Sequence, residues 1–342
     1  MKRDRRSFLQ TVGASGIAAA FVNAGNATEG RGSKESFRRF HSVQIDVFTS
    51  RRLQGNPLSV FTDARGLSDA EMQDLARETN LQETTFVFPQ DTATEREHGV
   101  KVRIFVPEEE ISFGGHPTLG TAMVLRNLRL ARNKPGAPEP ENVSEITLDL
   151  KVGKVPVSFR EVSPGSVFGE MRQVPPVFGP VHDRNTVAAL LDLKPSDIAD
   201  EWPIQTISTG LPFAVVPFKQ LSTLQSLRLD LRKVDAYLER QGHNTGFYYV
   251  TRDTRDSGVG LRARSIYANG EDPATGSAAG CTAAWMVRYG IAKPEQTVHI
   301  QQGVEMKRPS QLFVRASREG EKVTNVRVGG HAVEIMEGEV SL

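Results

Sequence analysis

The sequence predicts an α+β fold of two similar halves, each a curled sheet around one helix of small residues. Two observations carry this expectation. Short alternating runs of strand length recur along both halves. Each half also holds one Gly/Ala-rich helix opening from a turn, at Phe113-Gly-Gly-His-Pro-Thr-Leu-Gly120 and, about 160 residues later, at Asn269-Gly-Glu-Asp-Pro-Ala-Thr-Gly-Ser-Ala-Ala-Gly280. Small side chains are what a helix enclosed by a curled sheet needs. A chain of 342 residues suffices for two domains, and 38% hydrophobic with 24% charged residues is a globular balance.

In chain order, the first segment reads as an address. Lys2 and Arg3 precede Arg5-Arg6-Ser-Phe-Leu-Gln10, and the weakly apolar stretch from Thr11 to Val22 follows, the pattern of a twin-arginine export signal. With small-residue cleavage sites after Ala24 or Ala27, residues 1–27 are expected to be removed and the folded protein to reach the periplasm. A cytoplasmic protein with a basic tail is the alternative. Thr11 to Val22 is too short for a permanent membrane anchor. Loss of residues 1–27 leaves 38 basic and 40 acidic groups. Such a balance gives no field for nucleic acid, so the expected partner is a small molecule.

Val43 to Phe48 alternates as a half-buried strand, and Gln54-Gly-Asn-Pro57 turns into a second at Leu58 to Thr62. Ser68 and Glu71 form a capping box, with Leu67 and Met72 at staple positions, so a helix is predicted over 69–79. Asn80-Leu-Gln-Glu83 then leads into the strand Thr84 to Phe88, which puts Glu83 at a helix-to-strand junction. A strand at Val100 to Val106 precedes the first glycine run, whose helix is predicted to reach about Leu128. The Pro/Glu/Asn-rich stretch from Asn133 to Ser144 reads as a surface connection, and a domain boundary is expected near Leu150. The second half repeats the theme, with helices near 186–191 and 232–241, strands at 247–251 and 260–267, a small-residue helix to Tyr289, and closing strands to Val340.

The two glycine runs are the chemical feature. Small residues where a turn enters a helix leave backbone N–H groups free to face an anion, and two such starts closing on one cleft would cradle a carboxylate. Neither run ends in the Lys-Ser/Thr of a nucleotide phosphate loop. One cysteine, Cys281, permits no internal disulfide, and seven scattered histidines form no ligand pair, so no metal site is expected.

Gln54-Gly-Asn-Pro57, Asn80-Leu-Gln-Glu-Thr-Thr-Phe86, Gly114-Gly-His-Pro-Thr118 and Gly270-Glu-Asp-Pro-Ala-Thr-Gly-Ser277 resemble the signature blocks of the phenazine-biosynthesis PhzF-like family, in the same order. The resemblance covers essentially the whole mature chain. It implies the diaminopimelate-epimerase-like fold, two pseudo-symmetric domains each with a β-barrel around a central helix, at 41–150 and 151–324. By the same analogy the last strands, about 325–342, return to complete the first domain. It also implies a homodimer that needs no cofactor. Related racemases use two cysteines at the helix starts. Here those positions correspond to Gly114 and Ala278, and Cys281 lies three residues beyond, so a two-thiol mechanism is unavailable and Cys281 reads as a buried core residue.

The resemblance assigns the acid/base group to Glu83, which one would otherwise read as an ordinary exposed carboxylate, and adds His116 and Asp272 as catalytic partners. His116 alone reads equally well as a turn residue, and Asp272 as a helix cap or Asx-turn. Gly115, Gly276 and Ser277 are the expected carboxylate holders, and Asn56 is a further substrate-binding candidate. Thr118 and Thr275 support the turns, and Glu110 reads as solvated. The implied activity is a cofactor-independent isomerase acting on a small dihydro-hydroxyanthranilate-like acid. Glu83 takes a proton from an allylic carbon, the negative charge delocalises, and Glu83 returns the proton elsewhere. A periplasmic binding protein lacking the chemistry, or a structural subunit with a vestigial cleft, are the alternatives.

Overall fold

The computed structural model describes residues 37–133, 143–242, 246–267 and 270–342. The export-signal reading of residues 1–27, most of the 133–144 connection (134–142) and Asn269 lie outside the described residues. The first lobe carries strands β1 (Arg39–Val47), β2 (Asn56–Phe61), β3 (Glu83–Phe88), β4 (Val100–Phe105), β5 (Glu110–Ile111), β6 (Glu145–Leu150), β7 (Gly153–Ser163) and β8 (Ser166–Arg172), with helices α1 (Asp69–Thr79), α2 (Thr92–His98) and α3 (Gly115–Arg132). The second carries β9 (Val177–His182), β10 (Ile204–Ser208), β11 (Pro212–Phe218), β12 (Phe247–Thr251), β13 (Leu261–Tyr267), β14 (Gly270–Asp272), β15 (Val298–Gln302) and β16 (Ser310–Glu319), with α4 (Arg184–Leu190), α5 (Leu221–Ser226), α6 (Leu231–Arg240) and α7 (Gly276–Arg288). Two closing strands, β17 (Lys322–Gly330) and β18 (Ala332–Ser341), tie the lobes together.

Helix α3 packs against β1, β2, β3, β6, β7 and β8, and α7 against β10, β11, β16 and β17. Both helices are enclosed where they start: every described side chain from Gly115 to Leu125, and from Gly276 to Val287, is buried. This is the reason for their small-residue composition, since a wide side chain on every face would prevent the sheet from closing around the helix. One apolar core runs through both lobes, and satellite clusters lie under α1 and under α4 to α6.

The start of α1 is set by local chemistry. The Ser68 hydroxyl accepts from the Glu71 N–H while Glu71 accepts from the Ser68 N–H, and Leu67 and Met72 are both buried in the cluster beneath. At the boundary expected near Leu150, Leu150 pairs with Gly153 within the β6–β7 hairpin, and both strands pack on α3. Strand β17 pairs with β16 on one side and β8 on the other, while β18 runs antiparallel to β1 from Arg39↔Ser341 to Val47↔Ala332.

Candidate active site

Helices α3 and α7 meet start to start. A Cβ placed on Gly115 would lie 2.4 Å from the Gly276 carbonyl carbon and 2.5 Å from the Ser277 nitrogen. Only glycine permits this approach, and it brings two helix N-termini, each with first-turn N–H groups lacking a partner within the helix, to one point. Both positive dipole ends face a cavity of about 810 Å³ between the lobes, lined by Glu83, Gly115, His116, Asp272, Gly276 and Ser277. Among the described residues neither Lys nor Arg lines it, whereas Glu108, Glu109, Asp235 and Glu239 do. An anion held at the two helix starts rests on uncharged donors, the backbone amides and the Ser277 hydroxyl.

Glu83 begins β3, which pairs parallel to β2 with Glu83 opposite Leu58, and its side chain keeps 16% of its surface open. Its Oε2 stands 3.3 Å from His116 Nε2. His116 is the second residue of α3 and is buried, so burial lowers the imidazole to about 3 and leaves it neutral. Asn56 Nδ2 lies 2.6 Å from Asp272 Oδ1, 3.0 Å from the Ala274 carbonyl and 3.0 Å from His116 Nδ1. Nε2, with no hydrogen-bond partner among the described residues, faces Glu83. Burial, reinforced by the negative charge of Asp272, raises Glu83 well above the ordinary carboxylate range, which favours its acid form beside a neutral imidazole.

Asp272 ends β14, just before α7, and is held from three sides. Asn56 and the Ala274 N–H donate to Oδ1, and the Thr275 hydroxyl donates to Oδ2 at 2.6 Å. Burial raises its carboxyl to about 6, against the pull of these donors. The two buried carboxyls differ in support: Asp272 is surrounded by donors, and Glu83 Oε2 has none among the described residues.

Six of the seven expected site residues line the cavity. Asn56 is corrected. It is fully buried and absent from the lining, because its amide is spent bracing His116 and Asp272 from behind. Cys281 is buried in α7, its thiol pushed up to about 11 by burial. Glu110 is bound by both carboxylate oxygens to Arg103 and is not a free solvated group. Sequence reasoning missed Gln302, Gln173 and Tyr267. Gln302 bonds to the Asp272–Thr275 turn, Gln173 donates to the Gly276 carbonyl at 3.0 Å, and Tyr267 lines the cavity. Only Tyr267, adjacent to the second glycine run, had a signal in the sequence.

The sequence model of the phenazine biosynthesis-like protein family matches residues 45–338. The chain belongs to that family. The trans-2,3-dihydro-3-hydroxyanthranilate isomerase of Pseudomonas aeruginosa is 32% identical to this family member over 303 residues, 88% of this chain and 99% of that protein. The crystal structure of the Bacillus anthracis phenazine biosynthesis protein of the PhzF family superposes with a TM-score of 0.75 at 26% identity, covering 89% of this chain and 99% of that one. A probable proline racemase from Agrobacterium radiobacter shares the fold with a TM-score of 0.60 at 13% identity, covering 89% and 93%. The architecture is therefore the diaminopimelate-epimerase-like one, α+β, as this family's resemblance implied.

Proposed function

We propose that this protein is a PhzF-type isomerase that moves a proton within a small, conjugated, carboxylate-bearing substrate, with Glu83 as both acid and base. The observation that carries the reading is the Glu83 carboxyl 3.3 Å from His116 in the same cavity as two converging helix starts, where burial favours the neutral form of both groups. The names of relatives support the isomerase class, and trans-2,3-dihydro-3-hydroxyanthranilate is the substrate to try first. The single cysteine, buried and with its thiol pushed upward, argues against a two-thiol racemase.

The order of steps differs from the abstraction-first scheme that the sequence suggests. With the acid form of Glu83 favoured by burial and neither Lys nor Arg among the described residues of the lining, a delocalised anion would find no cationic side chain once the helix starts hold the substrate carboxylate. A cation formed beside an ionised Asp272 would. Glu83 therefore delivers its proton first: a substrate C=C pair forms the new C–H bond, and an amino lone pair moves in to make the conjugated iminium. The resulting Glu83 carboxylate then removes hydrogen from another carbon on the same face, that C–H pair becomes the new C=C, and the iminium pair returns to nitrogen. The substrate carboxylate sits on the N–H groups of the two helix starts. Glu83 regains its proton, and nothing else is consumed.

The test is turnover of trans-2,3-dihydro-3-hydroxyanthranilate, with deuterium uptake from heavy water, by wild type and Glu83→Gln. Undiminished turnover or exchange in the variant sinks the proposal. Tight binding with no exchange in the wild type would select a binding protein instead. The reading extends to a periplasmic homodimer, on the twin-arginine pattern at Arg5-Arg6 and the family resemblance. Fractionation of the source cells and light scattering of the purified chain check these two points.

A further inference from the structure

Resting on the assignment of Glu83 as the acid/base, the geometry points to Gln302 as a positioning residue: it aims the Thr275 hydroxyl hydrogen at Asp272 and so leaves the cavity's mobile proton on Glu83. Gln302 ends β15, is fully buried, and touches neither cavity nor solvent. Its amide uses all four of its hydrogen-bonding positions. Nε2 donates to the Asp272 carbonyl at 2.7 Å and to Thr275 Oγ1 at 2.9 Å, while Oε1 accepts from the Thr275 N–H at 3.1 Å and from the Tyr248 hydroxyl at 2.8 Å.

Two of these partners are backbone groups that cannot exchange roles. A carbonyl only accepts and an N–H only donates, so the amide has one permitted orientation. Nε2 must then be the donor to Thr275 Oγ1. The hydroxyl's own hydrogen is forced elsewhere, and Asp272 Oδ2 stands 2.6 Å away. Gln302 thus sets the direction of the Thr275 hydroxyl, and that hydroxyl stabilises the ionised form of Asp272. Two carboxyls at close quarters hold one proton more readily than none or two. With Asp272 supplied by three donors and Glu83 Oε2 by none among the described residues, the proton resides on Glu83. The other ionisable groups facing the pair are His116 on α3, Tyr248 on β12, Tyr267 on β13 and Glu271 on β14, the last paired to Arg264. Burial keeps the imidazole and both phenols neutral, so none competes for the proton.

The test titrates the side-chain carboxyls of the full chain by ¹³C NMR, with Asp272→Asn and Glu83→Gln spectra assigning the two signals. In the wild type Asp272 should ionise at lower pH than Glu83. In Gln302→Met, Asp272 should ionise about one to two pH units higher, and Glu83, freed of its charged neighbour, lower. Thr275→Val breaks the last link with Gln302 in place and should reproduce the shift even if Gln302→Met does not fold. Thr275→Ser should restore the wild-type order. An unchanged separation in Thr275→Val and Gln302→Met, or Glu83 ionising first in the wild type, overturns the inference. If Glu83→Gln has lost turnover while the separation is unmoved in those variants, only the role of Gln302 fails. If Glu83→Gln turns over like the wild type, the functional reading falls and takes this one with it.

Discussion

Gly115→Ala tests the claim that the site is built on contact between two backbones. An alanine Cβ would sit 2.4 Å from the Gly276 carbonyl carbon, 2.5 Å from its Cα and 2.5 Å from the Ser277 nitrogen, where ordinary contact begins at 3.4 Å. All three atoms are backbone at a helix start, so no side chain can rotate away and the helices must part by about 1 Å. Overpacking of this kind costs about 1–3 kcal/mol. A displacement of about 1 Å at reacting groups costs about 100-fold in rate. The sign is diagnostic, because within a helix Gly→Ala ordinarily stabilises by about 0.5–1 kcal/mol. Gly276→Ala should be milder, since its nearest neighbours, the Gly115 Cα and the Phe48 ring edge, stand at 3.0 Å. Gly338→Ala, on β18 with nothing within 4 Å, is the neutral control. Urea unfolding and turnover of trans-2,3-dihydro-3-hydroxyanthranilate measure both effects. A Gly115→Ala protein as stable and active as the Gly338→Ala control would refute the start-to-start contact.

Three further outcomes are expected. Glu83→Gln, a neutral isostere of the resting acid, should unfold within about 0.5 kcal/mol of wild type while losing about 10²–10⁴-fold in turnover; a large loss of stability would mean that the carboxyl rests ionised. The His116 imidazole, lowered to about 3 by burial, refuses a proton that the unfolded chain accepts below about 6.5. Its contribution is therefore intact above that pH and lost as pH falls towards about 3, so His116→Gln should flatten the acid side of a urea-midpoint profile; equal slopes in the two proteins would contradict the assigned burial. Asp272, raised to about 6, has the opposite sign, its contribution present at low pH and lost as pH rises through about 6. Cys281, buried and shifted upward, should resist thiol reagents until the chain unfolds, and Cys281→Ala should retain turnover.

What the sequence made legible is what local chemistry determines. The capping box and staple gave α1 its bounds because Ser68, Glu71, Leu67 and Met72 act within one turn. Glu83, His116 and Asp272 stand out only through the family blocks around them, since each alone reads as an ordinary carboxylate, a turn residue or a cap. Helix α2 went unseen: it is seven residues long and buries none of them, so only Asp91, its cap, could have marked it. The hairpin at Leu150 was equally hard to read: its tight turn follows a Pro/Glu-rich stretch, whereas the pairing of Leu150 with Gly153 is a matter of register.

Gln302 and Asn56 mark the limit. Each is an amide whose function comes from partners far along the chain: Asn56 reaches Asp272, and Gln302 reaches Tyr248 and Thr275. In Val298-His-Ile-Gln-Gln302 the last residue reads as the polar end of a strand, yet β15 pairs parallel to β13 with Gln302 opposite Ala263, which turns the amide inward beneath the Asp272 turn. An unbonded amide at that depth would cost about 1–3 kcal/mol per unpaired group, so an inward glutamine is tolerable only where the fold supplies all four partners. The same four bonds that make Gln302 affordable also fix its orientation. For that reason a residue indistinguishable from its neighbours in the sequence becomes, once folded, the group that decides which of two buried carboxyls carries the proton.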